Sequence, residues 1–226
     1  MSAIAERYHK VLRRVADAAD IAGRDPADIT VIAVTKTVGL PEVGQAIAAG
    51  AHDFGENRAQ EFTGKQALFP HECWHFIGTL QTNKVKQVVG RAALIHSVDS
   101  PHLLEAIDQR AGEAGVIQPV LLQVNVSGEG SKHGMSYEEA EDCVRGACGL
   151  SGVSVRGLMT MAPLSGRPES VRWVFRECAD WLGRLQSLHC DAVDLTELSM
   201  GMTNDFPVAI EEGATIVRVG RAIFGR

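Results

Sequence analysis

Lysine is scarce in this sequence, and one lysine stands where an amine could react with a carbonyl compound. Six lysines are set against sixteen arginines, and only Lys36 ends a core-type strand. With a side-chain period of two, Lys36 shares a strand face with Ile32 and Val34. A desolvated lysine at a strand end is suited to Schiff-base formation, whereas a rim lysine would simply extend into solvent. The other lysines fall on predicted helices, where solvated charge is expected, or in a glycine-rich loop: Lys10, Lys65, Lys84, Lys86 and Lys132.

Two glycine-containing turns near the end of the chain could bind an anion. Gly201 and Gly220 lack a β-carbon, so backbone N–H groups there can approach a phosphate closely. Ser199 and Thr203 could add hydroxyl donors, and a helix predicted at 205–213 would direct its N-terminus toward the same place. The pattern favours a phosphate site, and two ordinary turns at strand ends are the alternative.

Arg218 is predicted to point into the interior of the fold. It shares a strand face with Ile216, whereas its neighbouring valines occupy the other face. A buried guanidinium needs partners. Either an interior acid such as Glu197 or Glu56 pairs with it, or it contacts a ligand.

Residues 71–75 match the H-E-x-x-H pattern of zinc proteases, but their surroundings favour a strand. Two histidines four residues apart share a metal on a helix, where they rise about 6 Å, and cannot on a strand, where they span about 13 Å. Pro70 and the aromatic run 74–76 indicate an extended chain, which places His75 on a third strand and predicts no metal.

The glycine-rich segment 128–134 fits neither the dinucleotide fingerprint nor the phosphate loop of nucleotide-binding proteins. We expect a mobile loop at the functional rim, where Lys132 and His133 could contact a phosphate or an acidic substrate.

These residues need elements to position them, and strands alternate with helices along the whole chain. An N-terminal amphipathic helix carries Ile4, Tyr8, Val11, Leu12 and Val15 on one face. Eight β-type runs follow, and this alternation predicts an α/β fold, a (β/α)8 TIM barrel with an extra N-terminal helix, as one domain over residues 1–226. An open doubly wound sheet is the alternative. In the barrel, chemistry would lie at the carboxyl ends of the strands. The runs are 29–36, 52–57, 74–79, 94–99, 119–127, 154–162, 192–200 and 215–220.

Composition excludes several classes of protein. The 226 residues are 45% hydrophobic and 22% charged with a net charge of −6, which excludes disorder and, without a basic cluster, argues against nucleic-acid binding. The absence of a long apolar run and of a secretory leader predicts a cytoplasmic protein without a membrane span. Five cysteines without C-x-x-C spacing predict reduced, mostly buried thiols rather than disulfides or zinc ligands.

Several motifs of the sequence resemble those of the pyridoxal phosphate homeostasis protein family, which is related to the N-terminal barrel of alanine racemase. The matches reach every part of the chain except the first helix. They are residues 33–36 (AVTK), 54–61 (FGENRAQE), 74–84 (WHFIGTLQTNK), 123–127 (QVNVS), 157–161 (GLMTM), 198–202 (LSMGM) and 217–225 (VRVGRAIFG).

The resemblance implies that Lys36 forms a Schiff base with pyridoxal 5′-phosphate (PLP). Arg218 would face the pyridine nitrogen, and Asn57 would lie near the ring. Arg58 stands where the family often has tyrosine, which leaves the lining of the open side of the site unspecified. The cofactor phosphate would be held, largely by backbone N–H groups, at Ser199, Gly201, Gly220 and Arg221.

The same resemblance leaves two kinds of function open. An arginine opposite the pyridine nitrogen keeps its proton, so the ring would be a weaker electron sink than beside an aspartate. A two-base racemase also needs an acid/base group facing Lys36, which related racemases take from a separate β-domain that we do not expect here. Tyr8 and Tyr137, the two tyrosines, lie off the strand ends. A sugar-phosphate isomerase would leave Lys36 without a role.

We therefore expect a PLP-binding protein that buffers or delivers vitamin B6, and an amino-acid racemase is the alternative. The expected partners are PLP and PLP-dependent apoenzymes, with no nucleic acid and no membrane, and the expected state is a monomer.

Overall fold

Eight parallel strands close into a barrel in the computed structural model, which describes residues 2–128, 133–188 and 190–225. The strands are numbered β1 to β8 in chain order. They are Thr30–Val34, Asp53–Glu56, Cys73–Phe76, Leu94–Val98, Gln118–Gln123, Val153–Met159, Val193–Met202 and Ile216–Val219. Each strand pairs in parallel with the next, and β8 pairs back onto β1. The predicted (β/α)8 barrel is confirmed, and the open sheet is excluded.

Helices alternate with these strands and cover the outside of the barrel. Over the described residues they are α1 Ala3–Ile21, α2 Leu40–Ala48, α3 Ala59–Leu68, α4 Val85–Val88, α5 Pro101–Ala114, α6 Tyr137–Ala147, α7 Arg172–Leu185, α8 Phe206–Glu211 and α9 Arg221–Phe224. None of them combines the length and apolar character needed to cross a lipid bilayer.

Capping residues define where the longer helices begin. The hydroxyl of Ser2 accepts from Ala5 N at the start of α1, and Ser136 forms a reciprocal capping box with Glu139 at the start of α6. The predicted apolar face of α1 is buried as expected, except that Leu12 is 37% exposed. That face packs α1 against α8, α9 and α2.

The period of two along the strands divides apolar residues between two layers. One face contributes to a small cluster in the barrel interior: Ile32, Val34, Leu94, Leu121, Met159 and Ile216. The other face joins a larger cluster beneath the helices, which includes Phe54, Trp74 and Phe76. Lys36 was predicted to share the interior face of Ile32 and Val34, and both of these residues do face the interior.

The prediction that all the cysteines are reduced thiols is wrong for two of them. Cys148, at the end of α6, forms a disulfide with Cys190, just before β7, across a Cα–Cα distance of 5.8 Å. The two are 42 residues apart in sequence, and only the packing of α6 beside the β6–β7 connection brings them together. Cys143 and Cys178 are buried free thiols, as predicted, whereas Cys73 is exposed.

The glycine-rich loop is described only in part. Residues 129–132 lie outside the described ranges, and so does Lys132, which was predicted to contact a ligand. His133 is exposed, and its carbonyl accepts a hydrogen bond of 3.1 Å from Gln123 Nε2.

Candidate functional site

The carboxyl ends of β7, β8 and β1 meet at one rim of the barrel, which we call the mouth. Met202 on β7 is in register with Arg218 on β8, and Val219 is in register with Ala33 on β1. The lysine and the two glycine turns that the sequence singled out therefore belong to three adjacent strands. They come together although almost the whole chain lies between the first and the last.

Lys36 was predicted to end the first strand, but it lies in a tight turn just beyond β1. Val38 N donates to Thr35 O at 2.9 Å, and Thr37 has a φ of 61°. A β-branched residue with positive φ is unusual and ends the extended conformation there. The Lys36 side chain is exposed and forms no hydrogen bond or ion pair with any described residue. Its amine is therefore available to a ligand.

A buried ion pair supports the turn that carries Lys36. Lys65 Nζ on α3 donates to Thr35 O at 2.8 Å and to Glu56 Oε1 at 2.5 Å. The Thr35 hydroxyl donates to the same carboxylate oxygen at 2.6 Å. The expectation that Lys65 is a solvated helix residue is therefore wrong. It lies on the inward face of α3 with Ala59 and Phe62, at a spacing of three residues.

The turn after β8 leaves backbone donors unused beside β1. A β-carbon on Gly220 would lie 3.3 Å from Val34 O, so β1 and this turn are in close contact. The N–H groups of Gly220, Arg221 and Ala222 have no hydrogen-bond acceptor among the described residues. Three unpaired donors in succession form a cradle of the kind that binds anions.

The last residues of β7 and the turn that follows are tightly packed against α8. Gly201 has a φ of 89°, and a β-carbon there would come within 2.9 Å of Phe206 Cα and 2.6 Å of Ala209 Cβ. Met202 N donates to Asp205 Oδ1 at 2.6 Å. Glycine is thus required at position 201 for both conformation and space, and the loop is held in one place.

Arg218 is buried inside the barrel, as its strand face predicted, but its partners are not acids. Nη1 donates to Ser199 Oγ at 2.5 Å and Nη2 to Thr160 O at 2.9 Å. Of the acids predicted to pair with it, Glu56 faces the helix layer and binds Lys65. Glu197 accepts from Thr215 Oγ1. Burial lowers the pKa of Arg218 to about 10, so the guanidinium remains charged at neutral pH.

Ser199 is fully buried, and its hydroxyl is already engaged. Oγ lies 2.8 Å from His96 Nδ1 and accepts from Arg218. Its side chain therefore faces the barrel interior, and its backbone lies within the sheet, where its carbonyl accepts from Thr160 N. A contact of Ser199 with phosphate stays a prediction.

Asn57 follows β2 at the same level of the mouth as Lys36, because Val34 and Gly55 are in register. Its backbone is held closely: a β-carbon on Gly78 would lie 2.6 Å from Asn57 Cα. A cavity of about 270 Å³ opens beside it, with Arg58 and Lys84 in its lining. This cavity opens the mouth on the side where β2 and β3 end.

No group of three or more histidine, cysteine or acidic side chains in the described ranges is arranged to hold a metal ion. His75 lies on β3, as predicted, whereas His71 lies in the turn before it.

Known proteins resemble this chain over nearly its whole length. Residues 9–226 match the family model described as alanine racemase, N-terminal domain. The pyridoxal phosphate homeostasis protein of Aquifex aeolicus is 43% identical, with 97% of this chain and 96% of the relative covered. The protein of that name from Pseudomonas aeruginosa is 40% identical over 100% of this chain and 96% of its own.

The chain belongs to the pyridoxal phosphate homeostasis protein family.

A solved structure supports the same placement. PipY of Synechococcus elongatus, determined with PLP bound, superposes with a TM-score of 0.84 at 36% identity and covers 98% of this chain and 100% of that one. The family resemblance drawn from the sequence motifs is thereby confirmed.

In this member of the family, sequence reasoning missed several buried residues around the mouth. The pairing of Lys65 with Glu56 was not predicted, because lysines on helices were expected to be solvated. The spacing of three residues between Phe62 and Lys65 nevertheless marks Lys65 as inward-facing. His96 was not considered, although it shares the interior face of β4 with Leu94. A polar residue at an interior position of a core strand was the available signal.

Proposed function

We propose that this chain binds PLP reversibly through Lys36 and buffers or delivers it to apoenzymes in the cytoplasm, with residues 1–226 as one PLP-binding barrel domain. The observation that carries the proposal is that, within the part of the chain that the structure describes, an amine without a partner stands near a row of unpaired backbone donors. Lys36 lies two residues beyond Val34, and Val34 contacts Gly220. PLP carries an aldehyde and a phosphate on one small ring, and it can join these two features.

The residues present fit the phosphate of PLP. Gly201 and Gly220 have no β-carbon, which lets α8 and β1 pack closely against these turns, and the donors at Gly220, Arg221 and Ala222 have no acceptor among the described residues. The charge of Arg218 lies just beneath. Ser199, whose hydroxyl is engaged by Arg218 and His96, would support the site from beneath through its contact with Arg218.

Lys36 would bond covalently to the aldehyde carbon, with loss of one water molecule. Arg218 would face the ring nitrogen with N–H groups not used by Ser199 and Thr160. Asn57 would lie beside the ring. PLP when bound supplies an electron-withdrawing ring that can stabilise a carbanion, and a charged arginine at its nitrogen weakens that ability.

The positions of the tyrosines support a carrier rather than a two-base racemase. Tyr8 is buried on α1, and Tyr137 packs edge-on against Trp181 with the ring centroids 5.4 Å apart. Arg184 lies over the Tyr137 ring. Both rings are therefore engaged in packing contacts, and neither has a described contact with Lys36. Delivery to apoenzymes and a monomeric state belong to the same proposal.

Absorption spectroscopy of the purified protein tests this proposal. Wild-type protein should show visible absorption from bound PLP, and borohydride should fix one cofactor that peptide mapping places on Lys36. The Lys36→Ala variant should lose that adduct while keeping its fold by circular dichroism, and Lys86→Ala, which changes an exposed helix lysine, should keep it. Retention of the adduct by Lys36→Ala would refute the assignment. Racemisation of alanine or serine well above the Lys36→Ala background would favour the enzyme alternative.

A further inference from the structure

A continuous chain of hydrogen bonds runs through the barrel interior from Arg218 toward the opposite rim. Arg218 Nη1 lies 2.5 Å from Ser199 Oγ, which lies 2.8 Å from His96 Nδ1. His96 Nε2 lies 3.0 Å from His75 Nδ1, and His75 Nε2 lies 3.2 Å from Asp53 Oδ1. The five residues come from five strands, β8, β7, β4, β3 and β2. The first four are buried, and the Asp53 side chain is 32% exposed.

The two ends of this chain fix the position of each proton between them. A guanidinium only donates, so Ser199 Oγ accepts from Arg218 and directs its own proton to His96 Nδ1. An ionised carboxylate only accepts, so His75 Nε2 donates to Asp53. His96 Nε2 must then donate to His75 Nδ1. The network thus assigns both rings as neutral Nε2–H tautomers, and hydrogen bonds aligned in one direction strengthen one another.

Protonation of His96 would interrupt the chain. Its Nδ1–H would then face Ser199 Oγ, and the Ser199 proton would have no other acceptor among the described side chains near it. Burial, followed by the nearby His75 and Arg218, lowers the pKa of His96 well below its ordinary value. The surroundings therefore maintain the neutral ring that the hydrogen-bond geometry requires.

We propose that His96 and His75, held by Asp53, are positioning residues that fix the Ser199 hydroxyl and, through it, the orientation of the Arg218 guanidinium. The proposal rests on the proposed function, because Arg218 can act on a cofactor ring only if PLP occupies the mouth. Thr160 O holds Nη2 of the same guanidinium, so the chain and this carbonyl together define its plane. Asp53 thereby influences the mouth although it lies at the start of β2, at the other rim.

Nitrogen-15 NMR of the cofactor-free protein, labelled at histidine, tests the chain without any ligand. At pH 7.5 both His96 and His75 should carry the proton on Nε2 and none on Nδ1. Exposed His102 serves as an internal reference for a ring in solvent. An Nδ1–H on either buried ring, or a doubly protonated His96, would overturn the assigned direction.

A matched pair of variants at Asp53 tests whether the chain reaches the cofactor. Asp53→Leu removes the terminal acceptor, and we expect the dissociation constant for PLP to rise about tenfold, with a shifted absorption band, as for loss of one buried hydrogen bond. Asp53→Asn keeps an acceptor oxygen and should restore both values. His52→Gln, which changes an exposed histidine paired with Glu72 on the same rim, should leave both values unchanged.

The outcomes separate this proposal from the proposed function. If Asp53→Leu lowers only the melting temperature and leaves the band and the affinity for PLP unchanged, the histidines have a merely structural role and the positioning proposal fails. The Lys36 adduct would still stand in that case. If wild-type protein forms no adduct on Lys36, the proposed function fails and the positioning proposal fails with it, while the NMR result still decides whether the chain exists.

Discussion

Two buried polar groups support the mouth of the barrel, and they differ in charge and in location. Beneath Lys36, the ion pair of Lys65 and Glu56 lies between the barrel and α3. Beneath Arg218, the imidazoles of His96 and His75 lie inside the barrel, hydrogen-bonded to each other. The ion pair needs only to hold a backbone turn in place, whereas His96 lies near the fixed charge of Arg218, and its lowered pKa keeps a second charge away. The kind of polar group therefore follows from what lies above it.

The largest effect is expected from Lys65→Met, which leaves the Glu56 carboxylate buried without its charged partner. We expect the free energy of unfolding to fall by about 3 to 5 kcal/mol, as is usual when one member of a buried pair is removed. Urea denaturation measures it. The double variant with Glu56→Gln should recover part of the loss, and Lys86→Met, at an exposed position, should change little. A loss below about 1 kcal/mol for Lys65→Met would show that the pair is not buried in solution.

A smaller loss is expected from Leu121→Ala, in the apolar layer of the interior. Leu121 is fully buried, so truncation should cost about 3 kcal/mol of unfolding free energy, through lost burial and a cavity. The apolar layer forms no hydrogen bond with the chain of polar side chains that runs from Arg218 to Asp53. The absorption band of bound PLP should therefore stay where it is in wild type. A shifted band in Leu121→Ala would mean that packing alone orients Arg218, which would erase the contrast between the apolar and polar parts of the interior.

The smallest effect is a pH dependence from His96. Its pKa is lowered in the folded state, so below about pH 6.5 the unfolded chain takes up a proton that the folded barrel excludes. The free energy of unfolding should therefore fall as the pH drops from 7.5 to 5.5, by at most about 1.4 kcal/mol per pH unit from this group. His96→Gln, which cannot titrate, should show a shallower decline than wild type. Equal slopes in the two proteins would remove His96 as the source.

The barrel and the main residues of its mouth could be predicted from the sequence, because both depend on local patterns. Alternation of strands and helices predicts the fold, and a period of two is enough to place Ile32, Val34 and Arg218 in the interior. A local pattern does not show which polar groups of different elements contact one another. The pairing of Lys65 with Glu56, and of Cys148 with Cys190, depends on how helices lie over the barrel, and neither spacing nor composition records that.

Strand β1 ends at Val34, before the predicted residue 36, for a related reason. Residues 35 and 36 fit the alternation of inward and outward side chains along β1, yet the positive φ of Thr37 ends the extended conformation early. Side-chain pattern alone does not reveal such a turn, because threonine is ordinarily favoured in strands.

The pairing of β1 with β8 has a consequence for how the protein is made. Lys36 is synthesised long before Gly220, so a nascent chain that already contains Lys36 lacks the anion cradle until β8 has been made. Until β8 inserts between β7 and β1, the turn with the unpaired N–H groups does not stand beside Lys36. Insertion of β8 is therefore the folding step that brings the two features of the mouth together.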